Sequence, residues 1–252
     1  MTENFNNNYS RYYDLLYKDK DYKAEADYVI QLIRTLYTNA KDILELGSGT
    51  GNHAHLLCKE DFKVTGLERS ADMVSLAKEK AIDGFTQLVA DITNFELHQK
   101  FDVAISLFHV LSYLNTNDSL IACFNTVNKH LKPKGIFIFD VWYSPAVYFQ
   151  KPETRVKKME DDVFNITRLA QPEMHDHKNV VDVNYEISIQ NKATQVTEIY
   201  KEKHPMRHFS IPEIELLATH TNFNLIKAEE FLSAKQPGND TWGICFVLQK
   251  KA

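Results

Sequence analysis

The chain has 252 residues, 44% of them hydrophobic and 12% aromatic, enough for one sizeable core near the upper size of a single domain. Its net charge of −5, with no long run of Lys or Arg, lacks the footprint of a nucleic-acid binder and favours a small neutral or cationic partner. Cys58, Cys123 and Cys245 lie far apart without CxxC spacing, and no apolar run reaches the roughly eighteen residues of a membrane span, which argues against a disulfide framework, a zinc site and a membrane anchor. The polar start MTENFNNNYS lacks the basic and apolar regions of a secretory signal, and the expected location is the cytoplasm.

Taken in chain order, residues 21–38 place Tyr22, Ala26, Val29, Ile30, Ile33, Leu36 and Tyr37 on one face at helical spacing, which predicts an amphipathic helix. Short apolar runs then alternate with helical patterns. DILELG, FKVTGLE, FTQLVAD, FDVAISLF and GIFIFDV read as strands, with helices near 51–59, 70–80 and 117–131. The last helix carries Leu120, Ile121, Phe124, Val127 and Leu131 in register and is expected to stop at Pro133 and Gly135. Such alternation predicts a doubly wound α/β fold with a mostly parallel sheet covered on both faces.

After residue 150 the period changes from helical to two. VVDVNYEISIQ alternates Val181, Val183, Tyr185, Ile187 and Ile189 with polar residues, and DDVFNITRLA and TQVTEIYKEKH look similar. Residues 150–208 are therefore expected to form an antiparallel β layer inserted after the fifth strand, on the acceptor side and offering a surface for a homodimer. A helix near 211–222 and the strands NLIKAEEFL and TWGICFVLQK return the chain to the main sheet, so the main domain comprises 1–149 and 209–252.

The most informative stretch is ILELGSGTGNHAHLL, residues 43–57. A strand, closely spaced glycines and a helix let backbone N–H groups approach a nucleotide-like ligand. The third glycine comes one position too early for the dinucleotide fingerprint, and Glu45 beside the turn would repel a pyrophosphate but attract an ammonium and a sulfonium. S-adenosylmethionine carries both. Glu68 ends the second strand, where a carboxylate can accept two ribose hydroxyls, a feature shared with nicotinamide dinucleotide sites. Asp91 and Ile92 follow the third strand, near where an adenine amino group and ring face would lie.

At these residues the chain resembles the class I S-adenosylmethionine-dependent methyltransferases. ILELGSGTG, GLERS, ADIT and FDVAISLFHVLSYL look like their four motifs in order, and the resemblance implies a Rossmann-like, seven-stranded sheet with an antiparallel last strand. It implies cofactor contacts at Glu45, Gly47, Ser48, Gly49, Glu68, Arg69, Asp91, Ile92 and Leu107, with Met73 against the adenine, and S-adenosyl-L-homocysteine as product.

Methyl transfer from a sulfonium is an in-line displacement in which positioning supplies much of the acceleration, so side chains identify the acceptor poorly. The fourth motif ends in residues facing the transfer site, Phe108, His109, Tyr113 and Leu114, with His109 and Tyr113 the catalytic candidates. SLFHVLSYL lacks the Asn/Asp-Pro-Pro-aromatic signature of enzymes acting on adenine or glutamine. The aromatic start YSRYYDLLYKDKDYKAEADYV, FDVWYSP and EKHPMRHFSIPEIELLATHTNF resemble the bacterial nucleotide-linked amino-sugar N-methyltransferases. That resemblance implies that Tyr13, Tyr17 and Tyr22 lid the cofactor, and that Phe108, Trp142, Tyr143, His204 and Arg207 join Tyr113 around a small-molecule acceptor. A small-molecule O-methyltransferase, a dehydrogenase and a non-catalytic methyltransferase-like binding protein are the alternatives. His53 and His55, two apart on a helix, point to different faces, and His175 and His177 sit in a turn without a third ligand, so no metal is expected.

Overall fold

A computed structural model describes residues 15–252, built around a seven-stranded sheet and a separate four-stranded one. The large sheet contains β1 (Asp42–Leu46), β2 (Lys63–Glu68), β3 (Phe85–Val89), β4 (Phe101–Ser106), β5 (Leu131–Trp142), β10 (Phe223–Glu230) and β11 (Gly243–Lys250). Its order is β10-β11-β5-β4-β1-β2-β3, with β11 antiparallel to both neighbours and the other pairings parallel. The chain runs outward through β1, β2 and β3, then returns to lay β4 against the other side of β1. Ligands in open α/β sheets bind at such a reversal, beyond the carboxyl ends of the strands.

Alternation along these strands sends neighbouring residues to opposite faces, and each face carries its own core. Leu44, Leu46, Phe137, Phe139 and Phe246 pack with Phe124 on one side. Ile43, Val103, Ile105, Ile138 and Val247 pack on the other with Val29, Ile30 and Ile33 of α1 (Tyr22–Leu36). Asp21 caps α1 by accepting the Ala24 N–H at 2.9 Å. The connecting helices α2 (Asn52–Cys58), α3 (Ala71–Glu79), α4 (Asn117–His130) and α6 (Ile211–His220) match the sequence pattern, as does the stop after His130. β5 starts at Leu131, however, so the KPKG segment belongs to the strand, with Lys134 taking the left-handed backbone that its turn requires.

The second sheet is a meander, β6 (Arg155–Glu160), β7 (Phe164–His175), β8 (Val180–Asn191) and β9 (Thr197–Arg207). The expected alternation of β8 holds, with Val181, Val183, Ile187 and Ile189 buried, while Asp182 is buried on the face expected to be wet. Two elements have no counterpart in the sequence reading: α5 (Ser144–Gln150), begun by Pro145, and the edge strand β6, whose RVKKME leaves half its residues exposed and charged. A charged edge strand buries too little to announce itself by apolar period. Cys123 and Cys245 are buried free thiols and Cys58 is half-buried. Among the described residues no helix is long and apolar enough to cross a membrane.

Candidate active site

The glycine turn sits at the carboxyl end of β1, and Gly47, Gly49 and Gly51 all take left-handed φ values (+69°, +53° and +79°). Two roles separate them. A Cβ on Gly47 would lie 2.6 Å from Val110, so that glycine lets the loop after β4 close onto the turn. Among the described residues a Cβ on Gly49 would meet nothing nearer than the Met73 sulfur at 4.0 Å, so its outer side forms an open cradle there. The Gly47 and Ser48 N–H groups donate to Leu67 O, and Gln87, a residue the sequence reading missed, donates to both Ser48 Oγ and Gly49 O at 2.8 Å.

Glu45 lies below this turn, 2% exposed, with one carboxylate oxygen buried and unpartnered among the described residues. Burial pushes its carboxyl up to about 8, and the neighbouring Glu68 charge adds to the shift. Glu45 is thus not a fixed charge but a group that ionises near neutrality and whose charge is stabilised best when a cation arrives. Its other oxygen is 3.9 Å from His53 Nδ1, and His53 Nε2 lies 2.7 Å from Glu25. Glu25 pairs in turn with Lys20, whose ammonium sits over the rings of Phe108 (4.4 Å) and Tyr22 (4.9 Å). Burial alone would raise Glu25, but the His53 and Lys20 contacts outweigh it and hold its carboxyl low. His55 points outward and exposed, as its spacing from His53 predicts.

Glu68, at the end of β2, accepts the Gly49 N–H (3.0 Å) and the Ser70 N–H (2.8 Å), one on each oxygen. These bonds aim the carboxylate beside the cradle, and each oxygen keeps a second lone pair for hydroxyls. Met73 is buried at the start of α3, whereas Arg69 is exposed. Asp91 is exposed at the end of β3 and accepts from the Thr93 N–H and hydroxyl at 2.8 and 2.7 Å, with the half-buried Ile92 beside it packing on the core. Leu107 is buried where β4 ends.

After Leu107 the chain takes two consecutive left-handed residues, Phe108 (φ 65°) and His109 (φ 60°), before the 3₁₀ turn Val110–Tyr113. Left-handed backbone costs an L-residue about 1–2 kcal/mol, so both positions must be held by their surroundings. Phe108 is held by an edge-on contact with Tyr17 (5.0 Å) and by the Lys20 ammonium. His109 is held by Asp140: its ring Nδ1 lies 2.7 Å from Asp140 Oδ2, and its backbone N–H reaches Oδ1 at 3.4 Å. Asp140 is 1% exposed; burial would push its carboxyl up, but the charge and bonds of His109 outweigh that and keep it low. With Nδ1 against the acid, Nε2 is left on the far edge of a ring that is 23% exposed, beside Trp142 at 6.1 Å.

The 3₁₀ turn carries Tyr113 toward the antiparallel sheet. Its hydroxyl lies 2.7 Å from His204 Nδ1, and His204 Nε2 lies 2.8 Å from Glu202. Burial pushes the Tyr113 hydroxyl well above its ordinary range, with the nearby Tyr17, Tyr185 and Glu202 adding to it. Tyr185 packs 5.0 Å from His204, and Arg168 lies over the rings of Tyr17 and Tyr185 and donates to the Tyr17 hydroxyl. Trp142 joins this face together with Val181, Val183 and Met206. The structure thus gathers Tyr17, Phe108, His109, Tyr113, Trp142 and His204, and Tyr22 lies against His53 beside them.

Two expected acceptor residues lie elsewhere. Tyr143, next after Trp142, turns to the opposite face and packs on the main core. Arg207 lies three residues beyond His204, hence on the other face of β9, and is held by Glu213, by Asn117 at 3.0 Å and by the Phe209 ring. Tyr13 lies outside the described residues. The sequence reading left His175 without further ligands, yet the β7–β8 pairing brings Glu173 and Asp182 to within 4.8 Å of it. The Lys203 ammonium lies 2.6 Å from Asp182, so that carboxylate is already paired with a cation.

The strand order is that of a doubly wound, Rossmann-like α/β sheet whose last strand runs antiparallel. Residues 43–135 match the family described as methyltransferase domain. The chain is similar to a dTDP-3-amino-3,4,6-trideoxy-alpha-D-glucopyranose N,N-dimethyltransferase of Streptomyces venezuelae, 34% identical over 138 residues that cover 54% of this chain and 58% of that enzyme. A dTDP-4-amino-2,3,4,6-tetradeoxy-D-glucose N,N-dimethyltransferase of Saccharopolyspora spinosa is 33% identical over 53% of this chain and 54% of its own length. The chain therefore spans little more than half the length of these curated relatives. Its whole fold is shared with an S-adenosylmethionine-dependent methyltransferase of Clostridium acetobutylicum (TM-score 0.82, 24% identity, 96% and 97% of the two chains). Streptomyces venezuelae DesVI is as close (TM-score 0.81, 24% identity, 97% and 98%).

Proposed function

We propose that the protein is an S-adenosylmethionine-dependent methyltransferase acting on the amine of a small polar acceptor, a nucleotide-linked amino sugar. The observation that carries this reading is the buried oxygen of Glu45, without a hydrogen-bond partner among the described residues, under the left-handed glycine turn. A buried carboxylate left so is costly unless a ligand completes it, and a cationic amino-acid tail does so where a pyrophosphate would not. The open side of Gly49, the aimed carboxylate of Glu68 and the exposed Asp91 suit a nucleoside next to it. The matched family and the names of the sugar N,N-dimethyltransferases support the same reading.

S-adenosylmethionine supplies an electrophilic methyl group when bound. The chain's own residues have three tasks. Glu45 and Glu68 hold the two ends of the cofactor, with Gly47, Ser48, Gly49, Met73 and Ile92 shaping the space between them. Phe108, Trp142 and Tyr113 wall the acceptor side, and Tyr17 and Tyr22 cover it. His109 takes a proton from the acceptor amine at Nε2, since an ammonium has no lone pair to donate, and Asp140 balances the charge that then forms on the ring. On this reading the antiparallel layer of residues 150–208 carries the bulk of the acceptor. The protein works in the cytoplasm, where nucleotide sugars are soluble, and the outer face of that layer is available for a homodimer.

Thermal shift with S-adenosylmethionine, S-adenosylhomocysteine and NADH tests the first half. Stabilisation by the first two alone is expected; stabilisation by NADH alone contradicts the reading. Mass spectrometry after incubation with S-adenosylmethionine and a panel of dTDP-amino sugars tests the second. Gain of one or two methyl masses by an amine is expected, and gain by hydroxyl acceptors only would replace it with an O-methyltransferase.

A further inference from the structure

A ligand that brings an ammonium to Glu45 as part of an α-amino acid brings a carboxylate with it, because both groups sit on one carbon, about 2.5 Å apart. That second charge would face Glu45 itself, Glu25 beyond His53, and Asp140 beside His109. Without a cation among these acids it would be repelled.

Lys20 is placed to supply one. Its backbone is fixed directly ahead of α1: the Lys20 N–H donates to Tyr17 O at 3.0 Å and its carbonyl accepts the Tyr22 N–H at 2.9 Å, while Leu16 is buried in the core of the antiparallel sheet with Ile166, Ile187 and Ile189. Its side chain, 11% exposed, pairs with Glu25 and holds its ammonium against the rings of Phe108 and Tyr22. Each ring ties that ammonium to the space around Glu45. Phe108 opens the loop whose Val110 abuts Gly47, and the Tyr22 ring packs 5.0 Å from the ring of His53, which faces Glu45. The Lys20 charge also reaches Asp140, where it helps to keep that carboxyl low. An ammonium has three N–H donors, and ring faces stabilise its charge without neutralising it. Among the described residues Glu25 is the one carboxylate within ion-pair distance of Lys20, and Glu25 already has His53 at 2.7 Å. Lys20 therefore has charge and donors to offer a second anion.

We propose that Lys20 anchors the carboxylate of the cofactor's amino-acid tail, with Glu25 holding the ammonium in place, so that Lys20 and Glu45 together read the tail as a zwitterion. Lys20 meets the cofactor; Glu25 is a positioning residue. The anchor rests on the methyltransferase reading and narrows it: the ligand class is a nucleoside carrying an intact α-amino acid, and a nucleoside whose tail lacks the carboxylate binds less well.

Calorimetry with three probes tests the anchor: S-adenosylhomocysteine, its decarboxylated analogue, which keeps the ammonium, and 5′-methylthioadenosine, which has no amino-acid tail. In the wild type, loss of the carboxylate from the ligand is expected to cost about ten- to a hundredfold in affinity, the range of a hydrogen bond to a charged group. Lys20→Met, which keeps an apolar stem against the rings, is expected to weaken S-adenosylhomocysteine by a similar factor and to leave the other two probes no weaker. Lys20→Arg is expected to restore most of the loss. Wild type that binds the decarboxylated analogue as tightly as S-adenosylhomocysteine overturns the anchor without any variant and leaves the methyltransferase reading standing. A Lys20→Met protein that weakens all three probes alike, or none, overturns it as well, since a lysine that only braces Glu25 would not discriminate among them. Wild type that binds none of the probes removes the methyltransferase reading and the anchor with it.

Discussion

The two halves of the site are built in different ways. On the cofactor side each residue lies at or just past the carboxyl end of its strand: Glu45 in β1, Glu68 in β2, Asp91 after β3. Parallel pairing aligns those ends on one edge, so position along the sequence already implies position in space. On the proposed acceptor side the groups are pairs brought from afar. Asp140 reaches His109 across 31 residues and His204 reaches Tyr113 across 91. The cofactor half is thus a property of local motifs, and the acceptor half a property of the assembled fold. Mutations should therefore separate: changes on one side should leave binding to the other intact.

The largest expected effect is on chemistry. His109→Ala should lower kcat for methyl transfer by about 10²–10⁴-fold with cofactor affinity unchanged, in line with the loss of a general base. Single-turnover rates and calorimetry on one preparation check it. Loss of cofactor affinity in step with kcat would break the separation, and would mean that the strained Phe108–His109 loop supports the glycine turn through Val110.

Next comes Glu68→Ala, expected to weaken S-adenosylmethionine about a hundredfold by calorimetry. It removes a charged acceptor and also releases the Gly49 and Ser70 N–H groups that the carboxylate anchors. Affinity for a dTDP-amino sugar in the same variant should hold, and a parallel loss would show the halves to be coupled.

Glu45→Gln should cost about tenfold in S-adenosylmethionine affinity at pH 8 and less at pH 6. The sign follows from its raised carboxyl. Between the ordinary 4.5 and about 8 the folded free protein keeps a proton that the unfolded chain has lost, so Glu45 withdraws stability as pH rises through that window. The Gln variant without ligand should accordingly melt higher than wild type at pH 8 and alike at pH 4.5. A wild-type advantage at pH 8 without ligand would mean that Glu45 is already paired. The smallest effect sharpens the acceptor side: Arg207→Ala should leave the KM for an amino sugar within about twofold, because its guanidinium is committed to Glu213 and Asn117 on the far face of β9.

Much of this was legible in the chain, for physical reasons. The doubly wound sheet, its strands and its four main connecting helices follow from apolar period, and the clustering of the proposed cofactor residues from their place at strand ends. What stayed hidden falls into two kinds. Asp140, Glu202, Gln87 and the Lys20–Glu25–His53 chain gain meaning only from partners distant in sequence, which period cannot supply. For Arg207 and Tyr143 a signal for their placement was present in the chain. The two-residue alternation of a strand sets Arg207 opposite His204, and Tyr143 opposite Trp142, before any coordinates are known. The same alternation pairs Glu202 with His204 as i and i+2 on one face, the sequence clue that could have found it.

The central claim is that a buried carboxyl under the glycine turn receives a cation. Titration calorimetry of S-adenosylmethionine at pH 7, run in two buffers of different ionisation heat, tests it most directly. With Glu45 raised to about 8 when free, binding should release close to one proton in the wild type and none in Glu45→Gln. Binding with no proton release in the wild type, or equal release in both proteins, would contradict the account.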